Sequence, residues 1–138
     1  MKKVYSKLDN TKLLHMFYSA LSATSDGMQF LTDNAYPLQV AVASNLPEKY
    51  GFKGPHTHKL WKRTIEKTSE AFIVCRGKLK VTMYDLDNSI MGSEILHPGD
   101  LYLYIEGGHA FEVLTNDTLF YEIKNGPYKD VATDKTFI

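Results

Sequence analysis

Two histidines one residue apart, His56 and His58, stand in the stretch "GPHTHKLWKR". In an extended segment, side chains two apart leave the same face of the backbone. Two imidazoles placed that way can share one metal ion. Two further residues are out of keeping with their surroundings. Glu70 opens the apolar run "EAFIV", where a carboxylate has no packing role, and His109 follows a double glycine to begin "HAFEV". Three imidazoles and a carboxylate, each at the start or edge of a strand-like run, form a ligand set suited to iron, manganese, nickel or zinc. His97, in the turn "HPGD", and His15, in "LLHMFYSAL", fall outside that set.

Other polar residues sit where a plain core would want apolar ones. Glu122 and Lys124 alternate with Tyr121 and Ile123 in "TLFYEIK"; turned inward, Lys124 would anchor a phosphate or carboxylate. Gln39 is alone among the apolar residues of "PLQVAVA", and a buried amide needs partners. Arg63 follows His58 closely enough to reach the same region if the strand bulges. Tyr102 and Tyr104 flank Leu103 and read as packing residues with a hydroxyl at the edge. Cys75, the only cysteine, lies in "AFIVC" and reads as a buried, inert thiol.

The elements that must position these groups are short. With 138 residues, 43% hydrophobic and 23% charged, the chain fits one soluble domain spanning 1–138. Sixteen basic and sixteen acidic side chains cancel, so no global field recruits nucleic acid or an anionic membrane. A lone cysteine favours a reducing cytoplasm. The stretch 10–22 reads as a short helix rather than a leader, with Asn10 as N-cap and Leu14, Phe17, Tyr18 and Leu21 on one face. Beyond the breaker cluster "SATSDG", apolar runs cover about 37–44, 59–66, 70–77, 78–86, 93–105, 109–115 and 118–124, separated by Gly-, Asn-, Asp- and Pro-rich turns. "IVCRGKLKV" is the clearest hairpin, with Gly77 able to take a positive φ. Such spacing predicts an all-β sandwich or barrel whose inward residues fill it or line a cavity.

In this order the residues resemble the cupins. The first cupin motif is matched by "GPHTH", then Glu70, then six residues to Gly77; the second by "HPGDLYLYIEGGHAFEV", with Gly99 in the turn, then Gly107 and His109. The gap between His58 and Glu70 is longer than the family's, and Ile105 stands where it carries proline. The resemblance implies an all-β, cupin-type double-stranded β-helix (jelly-roll) barrel over about 37–124 with a short N-terminal helix. It implies a divalent metal ion (Fe, Zn, Mn or Ni) on His56, His58, Glu70 and His109, with Glu66 the alternative carboxylate.

More narrowly, "KRTIEKTSE", "GGHAFEVL", "YEIKNGPY" and the late pair Asp134–Lys135 are similar to small cupins of bacterial polysaccharide gene clusters. This implies a homodimeric enzyme acting on a small polar substrate such as a sugar or nucleotide-sugar, by isomerase, epimerase or oxygenase chemistry. Glu122, Lys124, Arg63 and Gln39 are then the candidates for contact with substrate. Two alternatives stand beside it: a non-catalytic cupin that binds or senses a sugar, and a metal-free isomerase with a histidine base, since "HTHK" resembles the histidine-rich strand of the dTDP-sugar ketoisomerases.

Overall fold

The computed structural model describes residues 1–20, 27–44 and 55–138. Leu21, the breaker cluster as far as Asp26, and Gly54 lie outside them.

The first surprise is local. "LLHMFYS" forms strand β2 (Leu13–Ser19), not a helix, and pairs with β1 (Lys2–Tyr5). Residues Leu14 to Tyr18 are all buried. A strand covered on both faces carries an unbroken apolar run, and periodicity alone cannot tell such a run from a buried helix turn. His15 is therefore a strand residue, and Asn10 belongs to the turn before β2 rather than to a cap.

The rest of the chain follows its turn chemistry. β3 (Gly27–Phe30) and β4 (Ala41–Ser44) form a separate two-stranded ribbon, so only the end of the expected 37–44 strand is one. Residues 55–69 run without regular secondary structure into β5 (Glu70–Arg76), and the expected strand at 59–66 is absent. Then come β6 (Leu79–Tyr84), β7 (Ile90–Leu96), β8 (Asp100–Tyr104), β9 (Gly108–Val113) and β10 (Leu119–Lys124). The only helix among the described residues is α1 (Val131–Asp134), near the C-terminus, with the Asp130 carboxylate accepting from the Thr133 N–H at its start.

All pairings among the described residues are antiparallel. One sheet has the order β1-β2-β8-β5-β10 and another β7-β6-β9. The hairpin expected at Gly77 does not form. Gly77 has the expected positive φ (73°), but β5 and β6 belong to different sheets and the turn carries the chain between them. A Cβ there would lie 2.6 Å from the Thr118 Cα, so both the conformation and the space call for glycine. Gly99 (φ 88°) marks a second crossing, from β7 to β8, inside what reads as one continuous run at 93–105.

The two larger sheets face each other. Their shared core joins Phe17, Phe72, Val74 and Tyr102 of the first to Leu79, Val81, Met83 and Leu96 of the second. The opposite face of the five-stranded sheet is covered by Tyr36, Leu38 and Val40 packing on Met16, Ala71 and Leu103. An ion pair from Lys2 to Glu94 joins the β1 and β7 edges. At the other side β9 and β10 touch through Phe111 and Phe120 (ring centroids 5.5 Å apart), and neither has a further strand partner among the described residues. The fold is thus a mostly-β stack of sheets; the described strands do not close into a barrel.

Candidate functional site

Glu70 and His109 begin strands in opposite sheets, and the facing of those sheets brings them together. Glu70 is paired in register with Tyr104 of β8 on one side and Lys124 of β10 on the other. His109 is paired with Met83 of β6. Both side chains point between the sheets. The His109 Nε2 lies 3.0 Å from the Glu70 Oε2; Glu70 is 3% exposed and His109 15%. That contact is an ion pair by distance but is not aligned as a hydrogen bond, which leaves the buried Oε2 without one.

Aromatic rings wall the pair. His109 lies 4.5 Å from the Tyr104 ring and 5.7 Å from that of Phe72, edge-on to the latter. The Tyr104 hydroxyl donates to the Gly107 carbonyl at 2.9 Å, tying the wall to the turn before His109. Gly107 has φ 88°, and a Cβ there would come 2.6 Å from the Tyr84 carbonyl, so the double glycine before His109 is a packing requirement. Behind the wall, His15 is fully buried: its Nδ1 is 2.9 Å from the Tyr102 hydroxyl and its Nε2 is 3.3 Å from the Tyr84 carbonyl. Burial pulls its pKa down to about 4.

Electrostatics keep Glu70 ionised. Burial works to raise its pKa, but the His109 imidazole, with Lys135 and Lys124 beyond it, outweighs burial, and the carboxyl lies below its ordinary value. Tyr104 moves the other way: burial first, then the nearby Glu70 and Glu106 charges, raise its phenol pKa, so it stays a protonated donor.

A cavity of about 590 Å³ opens on the pair, lined by Glu70, Tyr84, Tyr104, His109 and the tail from Asp134 to Ile138. That volume suits a small polar molecule. The tail is fastened beside it by an ion pair from Lys124 Nζ to Asp134 Oδ2 (2.8 Å) and by the Thr68 hydroxyl, 3.3 Å from Asp134 Oδ1. A second cavity of about 510 Å³ adjoins the first; Glu66, Asp85 and Glu106 line it, with no histidine among the described residues.

The structure brings together only half of the expected ligand set. His56 and His58 are exposed, in the irregular stretch before β5, with their rings 5.3 Å apart. Among the described residues no three His, Cys, Asp or Glu side chains lie close enough to hold one ion. Glu66 is exposed as well. Of the other candidates, Lys124 is half-buried, bound to Asp134 and 4.2 Å from the Tyr128 ring centre. Glu122 faces solvent on the same strand, and Arg63 lies over the exposed Trp61 ring, 4.0 Å from its centre. Gln39 is not a buried amide: it is exposed and donates to the Asn34 side chain at 2.8 Å. Cys75 is exposed too, because alternation carries it to the open face just past Val74.

Tyr84, Thr68 and the C-terminal tail are lining residues that the motifs did not single out. Lys135 stood in the sequence only as half of a late Asp-Lys pair. No family model matches this chain, and neither a curated protein nor a solved structure resembles it closely enough to count as a match. Among the described residues no helix is long and apolar enough to cross a membrane.

Proposed function

We propose that this protein is an enzyme that moves protons on a small polar substrate, of the size of a sugar or the sugar end of a nucleotide-sugar, in an isomerisation or epimerisation. One observation carries the reading: a buried carboxylate and an imidazole 3.0 Å apart, at the floor of a cavity walled by tyrosines. Ionised Glu70 lies against Nε2 of His109 and stabilises positive charge on the ring. Nδ1 is then the nitrogen that exchanges a proton with substrate. In such a step the imidazole takes a proton from the carbon next to a carbonyl and returns it to the neighbouring carbon or to the opposite face. Nothing is oxidised or reduced overall. Lys135, which lines the same cavity, is placed to support negative charge that develops on the carbonyl oxygen.

The fold supports the cupin-type reading behind this. From β5 to β10 the chain crosses between two facing sheets, as a double-stranded β-helix requires, with β6–β7 the one hairpin in that run. The expected homodimer and cytoplasmic setting belong to the same proposal.

The test is solvent exchange. Protein incubated with a panel of keto-sugars and nucleotide-sugars in D2O should wash deuterium into the carbon beside the carbonyl, read by NMR. His109→Ala should lower that rate by about 100-fold or more. If ligands bind but no member of the panel exchanges, the protein is a binding module instead.

A metal-dependent reading is favoured by the buried, unaligned Glu70 Oε2, which with His109 offers two donors at one point. Two donors fall short of the three protein ligands that catalytic zinc sites keep. Among the described residues these two donors do not complete a shell. Metal analysis of the purified protein, before and after chelation, decides this reading on its own.

A further inference from the structure

The sandwich is finished on one side and open on the other. At β1 and β7 an ion pair joins the sheet edges, whereas β9 and β10 end their sheets with apolar side chains in solvent. Phe111 and Val113 of β9 point into the space between the sheets, as their pairing with the buried Val81 and Leu79 requires, yet they are 48% and 51% exposed. On β10, Tyr121 and Ile123 lie on the outer face, paired across from Ile73 and Ala71, and are 62% and 46% exposed. An edge strand of this kind normally carries a lysine, a proline or a covering loop. Lys124 sits at the end of β10, but Asp134 holds it.

The same chain carries a segment with the matching deficit. Residues 55–66 lead into β5 without regular secondary structure, with Leu60 102%, Trp61 64% and Ile65 40% exposed. A leucine as exposed as in an isolated peptide shows that this arm stands off its own sheets. Its base is fixed: Lys67 pairs with Glu106, its carbonyl accepts from the Asn125 amide, and the Ser69 N–H donates to the Asn125 side chain. The arm is also basic, with Lys59, Lys62 and Arg63, while the open side presents the exposed Glu122, and Glu112 beside it pairs with Lys80.

We propose that the open β9–β10 side is the interface with a second copy of this chain, and that each copy's 55–66 arm lies against the other's β9–β10 edge. Exposed apolar groups on both elements and their opposite charges point to each other as occupants. A twofold pair buries both arms and both edges at once. The inference does not rest on the chemistry proposed for His109.

Trp61 is the only tryptophan, so the arm reports on itself. Mass by light scattering and Trp61 emission would be followed together over a dilution series. The expected result is a two-copy mass that falls to one on dilution, with emission moving to the red over the same range. Leu60→Asp and, separately, Tyr121→Asp should each weaken self-association by about tenfold or more with unchanged circular dichroism. Both positions are exposed in the single copy, so loss of fold does not confuse the result. A one-copy mass at every concentration overturns the proposal, whether Trp61 is solvated (a different partner or none) or shielded (the arm folds on its own chain). A dimer indifferent to both substitutions overturns it too, because the interface then lies elsewhere.

Discussion

At the scale of single residues, the site depends on two that disobey their neighbourhoods. Glu70 is a carboxylate at the head of an apolar strand, and His109 an imidazole at the head of another; the structure sets their side chains 3.0 Å apart. That much was legible from the sequence, because a polar group in an apolar run has to find a partner. His56 and His58 were equally visible, but their spacing says only that they share a face if extended, not which strand that face meets. Cys75 shows the reverse error. Its neighbours are apolar, yet it falls at the end of β5 on the exposed side, where alternation and not composition decides. A thiol reagent should therefore label Cys75 in the folded protein at a rate close to that in denaturant. Labelling slowed by a hundredfold or more would restore the buried assignment.

At the scale of elements, turns were easier to read than pairings. Gly77, Gly99 and Gly107 all take the positive φ that their contexts suggest. What the turns connect was not readable: a glycine reversal serves a hairpin and a crossing between sheets equally well, and the choice is made by strands far along the chain. β2 was missed for a related reason, since burial on both faces erases the alternation that announces a strand. Gly107 gives the element-scale prediction. Gly107→Ala puts a Cβ 2.6 Å from the Tyr84 carbonyl on a backbone with φ 88°. It should cost about 2 kcal/mol or more of stability, read by urea denaturation. A change within the error of the wild-type midpoint would show that the turn relaxes freely.

At the scale of the whole molecule, acid should unfold the protein in two stages. His15 is held neutral in the folded state, with a pKa of about 4 against an ordinary 6.5. A group whose folded pKa is lowered gives stability that is complete above the unfolded value and is lost as pH falls. Here the window runs from about 6.5 down to about 4, and the loss is about 3 kcal/mol. Glu70 adds to it lower down, since its pKa is also lowered: its share is present above the ordinary carboxylate value and is lost as pH falls from there through the lower folded pKa. Thermal melts between pH 7 and 4 should show the decline, and His15→Gln should flatten it while lowering the melting temperature at pH 7. An unchanged slope in that variant would assign the acid lability to other groups.

The crossing of β5 and β6 into different sheets also has a consequence in time. β5 pairs with β8 and β10, and β6 with β7 and β9, so β5 has no partner until later strands arrive. Of these pairings only β6–β7 joins neighbours along the chain; the others must close long loops. Glu70 and His109 meet only after both sheets have formed and come face to face. In a stopped-flow refolding experiment, the capacity to bind ligand should therefore return in the last and slowest phase, well behind the first β-sheet signal.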